Sequence, residues 1–428
     1  ARIERKKVNH VLWLCPCSVK RNLYTDIVKH VGYMPDWITI YGIESISASD
    51  RVYLEVYDIV KNNNCFLIVD ESNLVKNKEA LRTQRIIRLA KSCKYKLILN
   101  GTPVSKNEAD MFAQWYILDW RILGYQSYWS FAANHVEYWT ILLPNGNEIE
   151  DRNRIKRILD VDYLTAKIAP YSYQIKKSDC LSDLPAKQYH HIAFDMSEAQ
   201  AVEYAITKER YLDRVKEWKA ETIYRLFTAL QHVTAGRKII SDIDDHMETK
   251  PMFPWTENNR ITTLLDAINN YIKGDKCIIF AKYKNEIADI KSALTNKYGS
   301  ESVVEFTGNI NQKTRQENIE KFRGDAQFFI ANKACGAYGL NLQFCHNIIY
   351  YDNDFDFATR AQSEDRIHRI GQTKEVQIYD IYVRSTIDEF IIDCLDGKEK
   401  LVDKFKREID KWKEHKNERK TVHKRKCI

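Results

Sequence analysis

The stretch Phe66-Leu67-Ile68-Val69-Asp70-Glu71 sets the fold class that the sequence predicts. Its four apolar residues are typical of a short strand that is buried on both faces of a parallel sheet. Two carboxylates follow directly, and side chains at the carboxyl end of such a strand face the crevice in which α/β sheets bind ligands. One carboxylate can hold Mg²⁺ through water while its neighbour orients an attacking water, although many strands end in an Asp-Glu pair that has no such role.

Similar apolar runs lie on both sides of this stretch and again in the last part of the chain. The first group of predicted strands is Val11–Cys15, Phe66–Val69 and Lys96–Leu99, with an amphipathic helix at Glu79–Cys93. The second group is Cys277–Phe280, Val303–Phe306, Phe328–Ala331, Asn347–Tyr351 and Val376–Val383, separated by helices such as Lys284–Tyr298 and Lys313–Phe322. Strands that alternate with helices in this way predict an α/β fold with two parallel-sheet lobes and helical insertions between them.

The region between the two groups has a different character. It is mostly helical in pattern and rich in aromatic residues, namely Trp115, Tyr116, Trp120, Tyr125, Tyr128, Trp129, Phe131, Tyr138 and Trp139. These rings either form the core of a helical subdomain or stack on bases and wedge a duplex. We therefore predict a first lobe at 1–107, a helical insertion and inter-lobe linker at 108–257, a second lobe at 258–396, and a basic C-terminal helix or tail at 397–428.

Composition argues against two classes of protein. The 428-residue chain has no apolar run near the ~20 residues that a membrane helix needs. Its ten cysteines are dispersed, which favours free thiols in a reducing compartment over a disulfide framework or a zinc site. The net charge of +7 fits a polyanionic partner such as nucleic acid. We expect a monomer of the cytoplasm, or of the nucleus in a eukaryote, that makes no membrane contact.

Short segments after several predicted strands have the composition to approach phosphate groups. Gly101-Thr102-Pro103 and Thr307-Gly308 each follow a strand, and Ser18-Val19-Lys20 follows the first one. The stretch Gly336-Ala337-Tyr338-Gly339-Leu340-Asn341-Leu342-Gln343 contains two glycines, which allow the backbone to approach a phosphate of a nucleotide or of DNA closely. Each segment taken alone is also compatible with an ordinary turn.

A charged stretch near the C-terminus is more specific. Gln362-Ser363-Glu364-Asp365-Arg366-Ile367-His368-Arg369-Ile370-Gly371-Gln372 contains two arginines spaced to share one helical face. Two guanidinium groups directed at a γ-phosphate would stabilise the charge of the transition state as arginine fingers. The ordinary alternative is an exposed, charged helix.

The order and spacing of these segments resemble the SWI2/SNF2 group of superfamily 2 helicases. Asp70–Asn73 resembles motif II of that group, Leu97–Pro103 resembles motif III, and the Arg-Ile-Gly-Gln ending of Gln362–Gln372 is typical of its motif VI. The remaining similarities are Leu14–Ser18 to motif Ia, Lys177–Pro185 to the segment that joins the lobes, Ile278–Phe280 to motif IV, and Gly336–Leu342 to motif V.

The resemblance implies two RecA-like lobes that bind ATP and Mg²⁺ between them, with DNA lying across both. It implies that Asp70 holds Mg²⁺ through water, that Glu71 serves the attacking water, and that Arg366 and Arg369 are the arginine fingers. The residues implied in ATP binding are Gly101, Thr102, Gly336, Gly339, Gln362 and Asp365. The residues implied in DNA binding are Ser18, Lys20, Thr307, Gly308, Asn341 and Lys177.

The sequence departs from the family pattern at three places. Motif II usually ends in His, where this chain has Asn73, a change that we expect to affect the coupling of hydrolysis to DNA more than hydrolysis itself. The family's paired Arg, which precedes the Lys of the segment that joins the lobes, is replaced by Gln174-Ile175. The printed chain also has no Gly-x-Gly-Lys-Thr loop, and we expect this phosphate-binding segment to lie upstream of Ala1.

These features predict an ATP-dependent DNA translocase or helicase that acts on duplex, forked or branched DNA in replication, recombination or repair, with recombination or replication proteins as candidate partners. Two alternatives stay open: the motor of a chromatin remodeller, and a non-catalytic DNA-binding scaffold with the same fold. A nuclease is disfavoured because no second carboxylate cluster with a lysine is found at metal-site spacing. The Lys-, Asn-, Ile- and Tyr-rich composition is typical of an AT-rich genome, and compact helicases of large tailed bacteriophages look similar.

Overall fold

The computed structural model describes residues 3–101, 108–142, 147–175, 177–181, 183–214, 220–243, 246–333, 340–354 and 357–397. The chain divides into two compact units. The first contains residues 1–182 and 338–340, and the second contains residues 183–337 and 341–428. The predicted middle region, 108–257, therefore contributes to both units, and its boundaries with the lobes stay a prediction.

The first unit is built on a four-stranded parallel sheet in the order β2-β1-β3-β4. Its strands are β1 (His10–Cys15), β2 (Ile38–Gly42), β3 (Cys65–Val69) and β4 (Tyr95–Ile98). The helices around it are α1 (Lys20–Val31), α2 (Ile43–Ala48), α3 (Asp50–Asn62) and α4 (Leu81–Ser92). Apolar side chains from one face of β1 and β3 pack against α2, α3 and α4, with Leu12, Leu67 and Leu89 fully buried. On the opposite face of β3, Ile68 is also buried. This packing explains why β3 is a continuous apolar run.

The rest of the first unit is a smaller aromatic subdomain. Its helices are α5 (Met111–Leu118), α6 (Trp120–Leu123), α7 (Tyr128–His135), α8 (Val161–Ile168) and α9 (Lys177–Cys180). Helices α5 to α8 pack with an antiparallel hairpin of β5 (Val136–Leu142) and β6 (Glu148–Ile158). The hairpin was not predicted from the sequence.

The second unit contains a six-stranded parallel sheet in the order β11-β12-β10-β13-β14-β7. Its strands are β7 (Lys187–Phe194), β10 (Cys277–Phe280), β11 (Val303–Phe306), β12 (Phe328–Ala331), β13 (Asn347–Tyr350) and β14 (Val376–Val383). The helices are α10 (Glu198–Arg214), α11 (Ala220–Thr234), α12 (Asn259–Ala267), α13 (Lys284–Tyr298), α14 (Gln312–Arg323), α15 (Phe357–Glu364) and α16 (Ile387–Gly397). A hairpin of β8 (Arg237–Ile243) and β9 (His246–Pro251) completes it.

The fold class predicted from the sequence is confirmed, because two parallel α/β sheets account for the two groups of apolar runs. The central strands β10 and β12 are buried along their whole length, as the absence of polar residues in them requires. Among the described residues, no helix has the length and apolar character needed to cross a lipid bilayer.

Candidate active site

The turn after β3 holds the carboxylate pair. The Asp70 amide donates to the carbonyl oxygen of Leu14 on the neighbouring strand β1 at 2.8 Å, which continues the sheet ladder by one residue. The Glu71 amide then donates to Asp70 Oδ1 at 2.9 Å, and Glu71 itself has the left-handed backbone angle φ of 48°. The chain therefore turns sharply here, and Asp70 is held at the carboxyl edge of the sheet.

Asp70 suits the binding of a hard cation. Burial raises the pKa of its carboxyl group above the ordinary value, and the hydrogen bond from the Glu71 amide opposes this rise. A nearby Mg²⁺ would favour the charged carboxylate, and carboxylate oxygen is the ligand that Mg²⁺ prefers. Among the described residues, no group of three His, Cys, Asp or Glu side chains could hold a metal. The carboxylate of Asp70 is therefore of the ligand type that fits Mg²⁺.

A buried polar network connects this turn to the turn after β4. The Ser72 hydroxyl donates to Gln114 Oε1 at 2.7 Å, and the Asn100 amide group lies 3.3 Å from Ser72 Oγ and 3.2 Å from Gln114 Oε1. The Ser72 amide also donates to the carbonyl oxygen of Leu99 at 3.0 Å. The motif II and motif III segments are thus joined through side chains as well as through the sheet.

The other predicted residues of the first unit lie near its strand ends. Gly101 directly follows Asn100 and is exposed, with no atom within 4 Å of the position a Cβ would take. Thr102 lies outside the described residues. Ser18 and Lys20 are exposed at the carboxyl end of β1, where α1 begins. Lys177 begins α9, and its side chain is outside the described part of the chain.

In the second unit, the two predicted arginines are not on a helix. Helix α15 ends at Glu364, and Arg366 and Arg369 lie in the turns that follow it, so the expectation that they share one helical face is wrong. The reason is local: the Arg366 amide bonds to the carbonyl of Ser363 at 3.2 Å, a tighter turn than the α-helix makes, and Ile367 is fully buried.

The turns that contain Arg366 and Arg369 are hydrogen bonded to the end of the predicted motif V segment. The Leu342 amide donates to the carbonyl oxygen of Arg366 at 3.1 Å, and an Arg369 Nη1 hydrogen bonds to Asn341 Oδ1. The side chain of Gln372 donates to the carbonyl oxygens of Gln343 at 3.1 Å and Cys345 at 2.9 Å. The structure thus brings Asn341 together with Arg366 and Arg369, which are far from it in sequence.

Other predicted residues of the second unit are engaged in different ways. The Gln362 carbonyl accepts from Arg366 Nε at 3.1 Å, and Asp365 lies 3.6 Å from Lys187 Nζ. Thr307 is buried and its hydroxyl donates to Glu305 at 2.9 Å, whereas Gly308 is exposed. Gly336 and Gly339 lie outside the described residues.

Sequence reasoning missed a buried charged cluster at the carboxyl end of the second sheet. Lys333 Nζ lies 3.4 Å from Asp354 and 3.3 Å from the Asp352 carbonyl oxygen, and the Lys282 amide donates to Asp352 Oδ1 at 2.8 Å. Burial raises the pKa of Asp352, while Lys333 and Lys282 oppose the rise. The signal was present in the sequence, because Asp352 follows an apolar strand much as Asp70 does.

The aromatic residues of the first unit fall into two groups. Trp115, Phe131 and Tyr138 are buried in the core of the aromatic subdomain, as the ordinary interpretation predicted. Trp129 and Trp139 are instead 49% and 45% exposed. A cation lies near the face of each exposed ring, with Arg152 at 5.1 Å from the Trp129 ring centre and Lys156 at 5.7 Å from that of Trp139.

Two family profiles match long stretches of the chain. The family profile of the SNF2-related domain matches residues 36–244, and that of the helicase conserved C-terminal domain matches residues 259–371. The TATA-binding protein-associated factor mot1 of Aspergillus fumigatus is 22% identical over 445 residues, which cover 92% of this chain and 23% of that protein. An uncharacterized ATP-dependent helicase of Mycoplasma genitalium is 26% identical over 346 residues, which cover 79% of this chain and 30% of that protein.

A plant protein and a solved archaeal structure are also similar to this chain. The ISWI chromatin-remodeling complex ATPase CHR11 of Arabidopsis thaliana is 26% identical over 341 residues, covering 77% of this chain and 30% of that protein. The SWI2/SNF2 ATPase core of Sulfolobus solfataricus in complex with dsDNA aligns over 93% of this chain and 82% of its own, with 19% identity and a TM-score of 0.41. The chain spans less than a third of the length of these curated relatives. The two profiles together span most of the chain in the order that the motifs predict, and the chain belongs to the SNF2-type helicase family of superfamily 2.

Proposed function

We propose that the protein is an ATP-dependent motor that translocates on DNA. Family membership supports the use of ATP. For this chain, the proposal rests on one observation: hydrogen bonds hold Asp70 at the carboxyl edge of the first sheet, where a bound cation would stabilise its charged form. Burial of a carboxylate costs free energy, and a bound cation would offset that cost.

We infer catalytic roles for residues of both units. Asp70 would hold the cation through water, and Glu71, which follows it in the same turn, would accept a proton from the attacking water. Arg366 and Arg369 of the second unit stabilise the negative charge that develops on the phosphoryl oxygens. When bound, Mg²⁺ would neutralise phosphate charge. We assign Gly101, which follows Asn100, and Gln362, whose carbonyl oxygen accepts from Arg366, to nucleotide binding.

The DNA contacts that we propose are made largely to the phosphate backbone. Ser18 and Lys20 are exposed at the end of β1, and Gly308 is exposed at the end of β11. Because the hydroxyl of Thr307 is already used by Glu305, we assign the contact at that turn to the Gly308 amide. Residues 365–371 form the turns that contain Arg366 and Arg369, and we call them the arginine turn. Because Asn341 hydrogen bonds to Arg369, we propose that Asn341 links bound DNA to the arginine turn.

We further propose that the substrate is duplex, forked or branched DNA in replication, recombination or repair. The relatives named above include a chromatin-remodelling ATPase, which supports nucleosomal DNA as a second candidate substrate. The test measures ATP turnover by the protein expressed from its full gene with blunt duplex, a fork, a four-way junction and nucleosomes. Stimulation by the naked DNAs supports the first substrate class, stimulation by nucleosomes alone supports the second, and no stimulation by any of them overturns the motor proposal.

A further inference from the structure

The arginine turn in the second unit needs an external support. Arg366 and Arg369 lie beyond the end of α15, so the regular hydrogen bonds of a helix do not fix their direction. A catalytic guanidinium must be held within a fraction of an ångström of its productive position. The contacts around residues 364–368 show what provides this support.

A short stretch at the start of the second unit, Pro185–Tyr189, binds both sides of the arginine turn. We call this stretch the joining segment, because the chain passes from the first unit to the second just before it. Lys187 Nζ lies 2.8 Å from Glu364 Oε2 and 3.6 Å from Asp365 Oδ1, and the Tyr189 hydroxyl donates to Glu364 Oε2 at 2.9 Å. Arg366 therefore directly follows two residues that the joining segment holds.

The other side of Arg366 is held by the same segment. His368 Nε2 lies 2.7 Å from the carbonyl oxygen of Pro185. A carbonyl oxygen only accepts hydrogen bonds, so His368 is the donor and carries its proton on Nε2. Strand pairing strengthens the attachment, because the Val376 amide donates to the carbonyl oxygen of Ala186 at 3.0 Å.

Glu364 is the point at which these contacts meet the body of the second unit. It is 4% exposed, and its second oxygen accepts from Arg360 Nε at 3.0 Å. Arg360 in turn binds Asp380 of β14 through two hydrogen bonds of 2.6 and 2.9 Å. Glu364 thus has charged or polar partners on both sides. A displacement of the joining segment would therefore move Glu364 and, with it, the arginine turn.

We propose that Lys187 and Tyr189 are positioning residues for ATP hydrolysis, which act through Glu364 and Asp365 to hold Arg366 and Arg369 in place. The inference rests on the proposed function of these two arginines. We assign Lys187 and Tyr189 no contact with nucleotide or DNA. Their role is to make the position of the arginines depend on the joining segment, which lies just after the boundary between the two units.

The phenol of Tyr189 remains a donor at physiological pH. Tyr189 is half-exposed, and its partial burial and the neighbouring Glu364 carboxylate both raise its pKa above the ordinary value. The hydrogen bond to Glu364 is therefore present throughout the pH range in which ATP turnover would be measured.

The test compares Lys187→Met, Tyr189→Phe and Glu364→Gln with the unchanged protein in steady-state ATP hydrolysis with saturating DNA. We expect kcat to fall about 10- to 100-fold, since a displacement of about 1 Å at a catalytic group costs about 100-fold, while KM for ATP and the Kd for DNA change less than about threefold. Lys187→Arg should restore most of kcat. Gln188→Ala, an exposed neighbour on the same strand, is the matched control and should have no effect.

A double variant tests whether Lys187 acts through Glu364. If it does, adding Lys187→Met to Glu364→Gln should lower kcat by less than about twofold more, because the two changes remove one interaction. Losses that multiply in the double variant, or that merely follow the folded fraction measured by circular dichroism, would overturn the positioning role. The proposed function fails separately: it is lost if Arg366→Ala and Arg369→Ala keep full kcat, whereas loss in these with none in Lys187→Met refutes the positioning role alone.

Discussion

Ser72 and Gln114 form a hydrogen bond of 2.7 Å in the interior of the first unit, where both side chains are almost completely buried. Ser72 follows the carboxylate pair by one residue, and Gln114 lies on α5, beyond the turn that contains Gly101. The bond thus connects the carboxylate turn to the element that follows motif III.

Replacing Gln114 by Leu should destabilise the protein by about 1–3 kcal/mol, because Ser72 and Asn100 would lose a buried partner. The additional change Ser72→Ala should cost less in the Gln114→Leu background than alone, since the hydroxyl has already lost its acceptor. Urea unfolding of the two single variants and the double variant measures this. Strictly additive free energies would show that the two side chains do not act together.

Asp70→Asn should abolish ATP turnover and at the same time raise stability at neutral pH. Burial raises the pKa of Asp70 above its unfolded value, so the folded state binds this proton more tightly than the unfolded state. The protonated Asp70 carboxyl therefore contributes to folding stability below its unfolded pKa. This contribution is lost as the pH rises through the folded pKa, and the loss is complete above the folded pKa. Asn has no such dependence.

The Tm of Asp70→Asn should thus exceed that of the unchanged protein by more at pH 7 than at acidic pH. The comparison is made by differential scanning calorimetry without Mg²⁺ or nucleotide. A lower Tm for Asp70→Asn at pH 7 would contradict the account of this carboxylate. Asp58→Asn is a suitable control, because this Asp is exposed on α3.

Arg360 and Asp380 form a buried ion pair that should be sensitive to loss of one partner. Burial alone would lower the pKa of Arg360, but Asp380 more than offsets this and raises it. Arg360→Met should cost about 3–5 kcal/mol, since Asp380 would remain as an uncompensated buried charge. The double variant Arg360→Met with Asp380→Leu should recover much of this loss in urea unfolding. A double variant that is less stable than either single one would show that the pair is favourable in itself.

The sequence predicted the sheets better than the connections. Strands β10, β11, β12 and β14 have the bounds expected from their apolar runs, because a strand buried on both faces needs such a run. The strand β7 was missed, since it lies at the sheet edge and carries Lys, Gln and two His.

The hairpin of β5 and β6 was missed for a related reason. Strand β6 reads Glu-Ile-Glu-Asp-Arg-Asn-Arg-Ile-Lys-Arg-Ile and pairs with β5 through an irregular register, so no alternation of polar and apolar residues is visible. The placement of Arg366 and Arg369 after the end of α15 could also not be predicted from the local sequence pattern. The neighbouring residues His368 and Glu364 contact Pro185 and Lys187, about 180 residues away, and no spacing rule reveals such contacts.

The exposed tryptophans should contribute to DNA binding and not to stability. Trp139→Ala should weaken binding of forked DNA with single-stranded arms by about 1–3 kcal/mol, the range found for a base stacked on an aromatic ring, with little change in Tm. Trp115→Ala, a buried counterpart, should instead cost about 3–5 kcal/mol of folding free energy. Fluorescence anisotropy with labelled forks measures the first and urea unfolding the second. Unchanged DNA affinity in both Trp129→Ala and Trp139→Ala would restrict these rings to a structural role.

The rate of ATP hydrolysis with and without DNA tests the central claim most directly, measured for the protein expressed from its full gene and for its Glu71→Gln variant. The account predicts hydrolysis that DNA stimulates, and a loss of about 100- to 10,000-fold in Glu71→Gln, the contribution of a general base. Glu79→Gln, which changes a nearby exposed carboxylate, should leave the rate unchanged. Hydrolysis that does not respond to any DNA, or that survives Glu71→Gln at the full rate, would contradict the account.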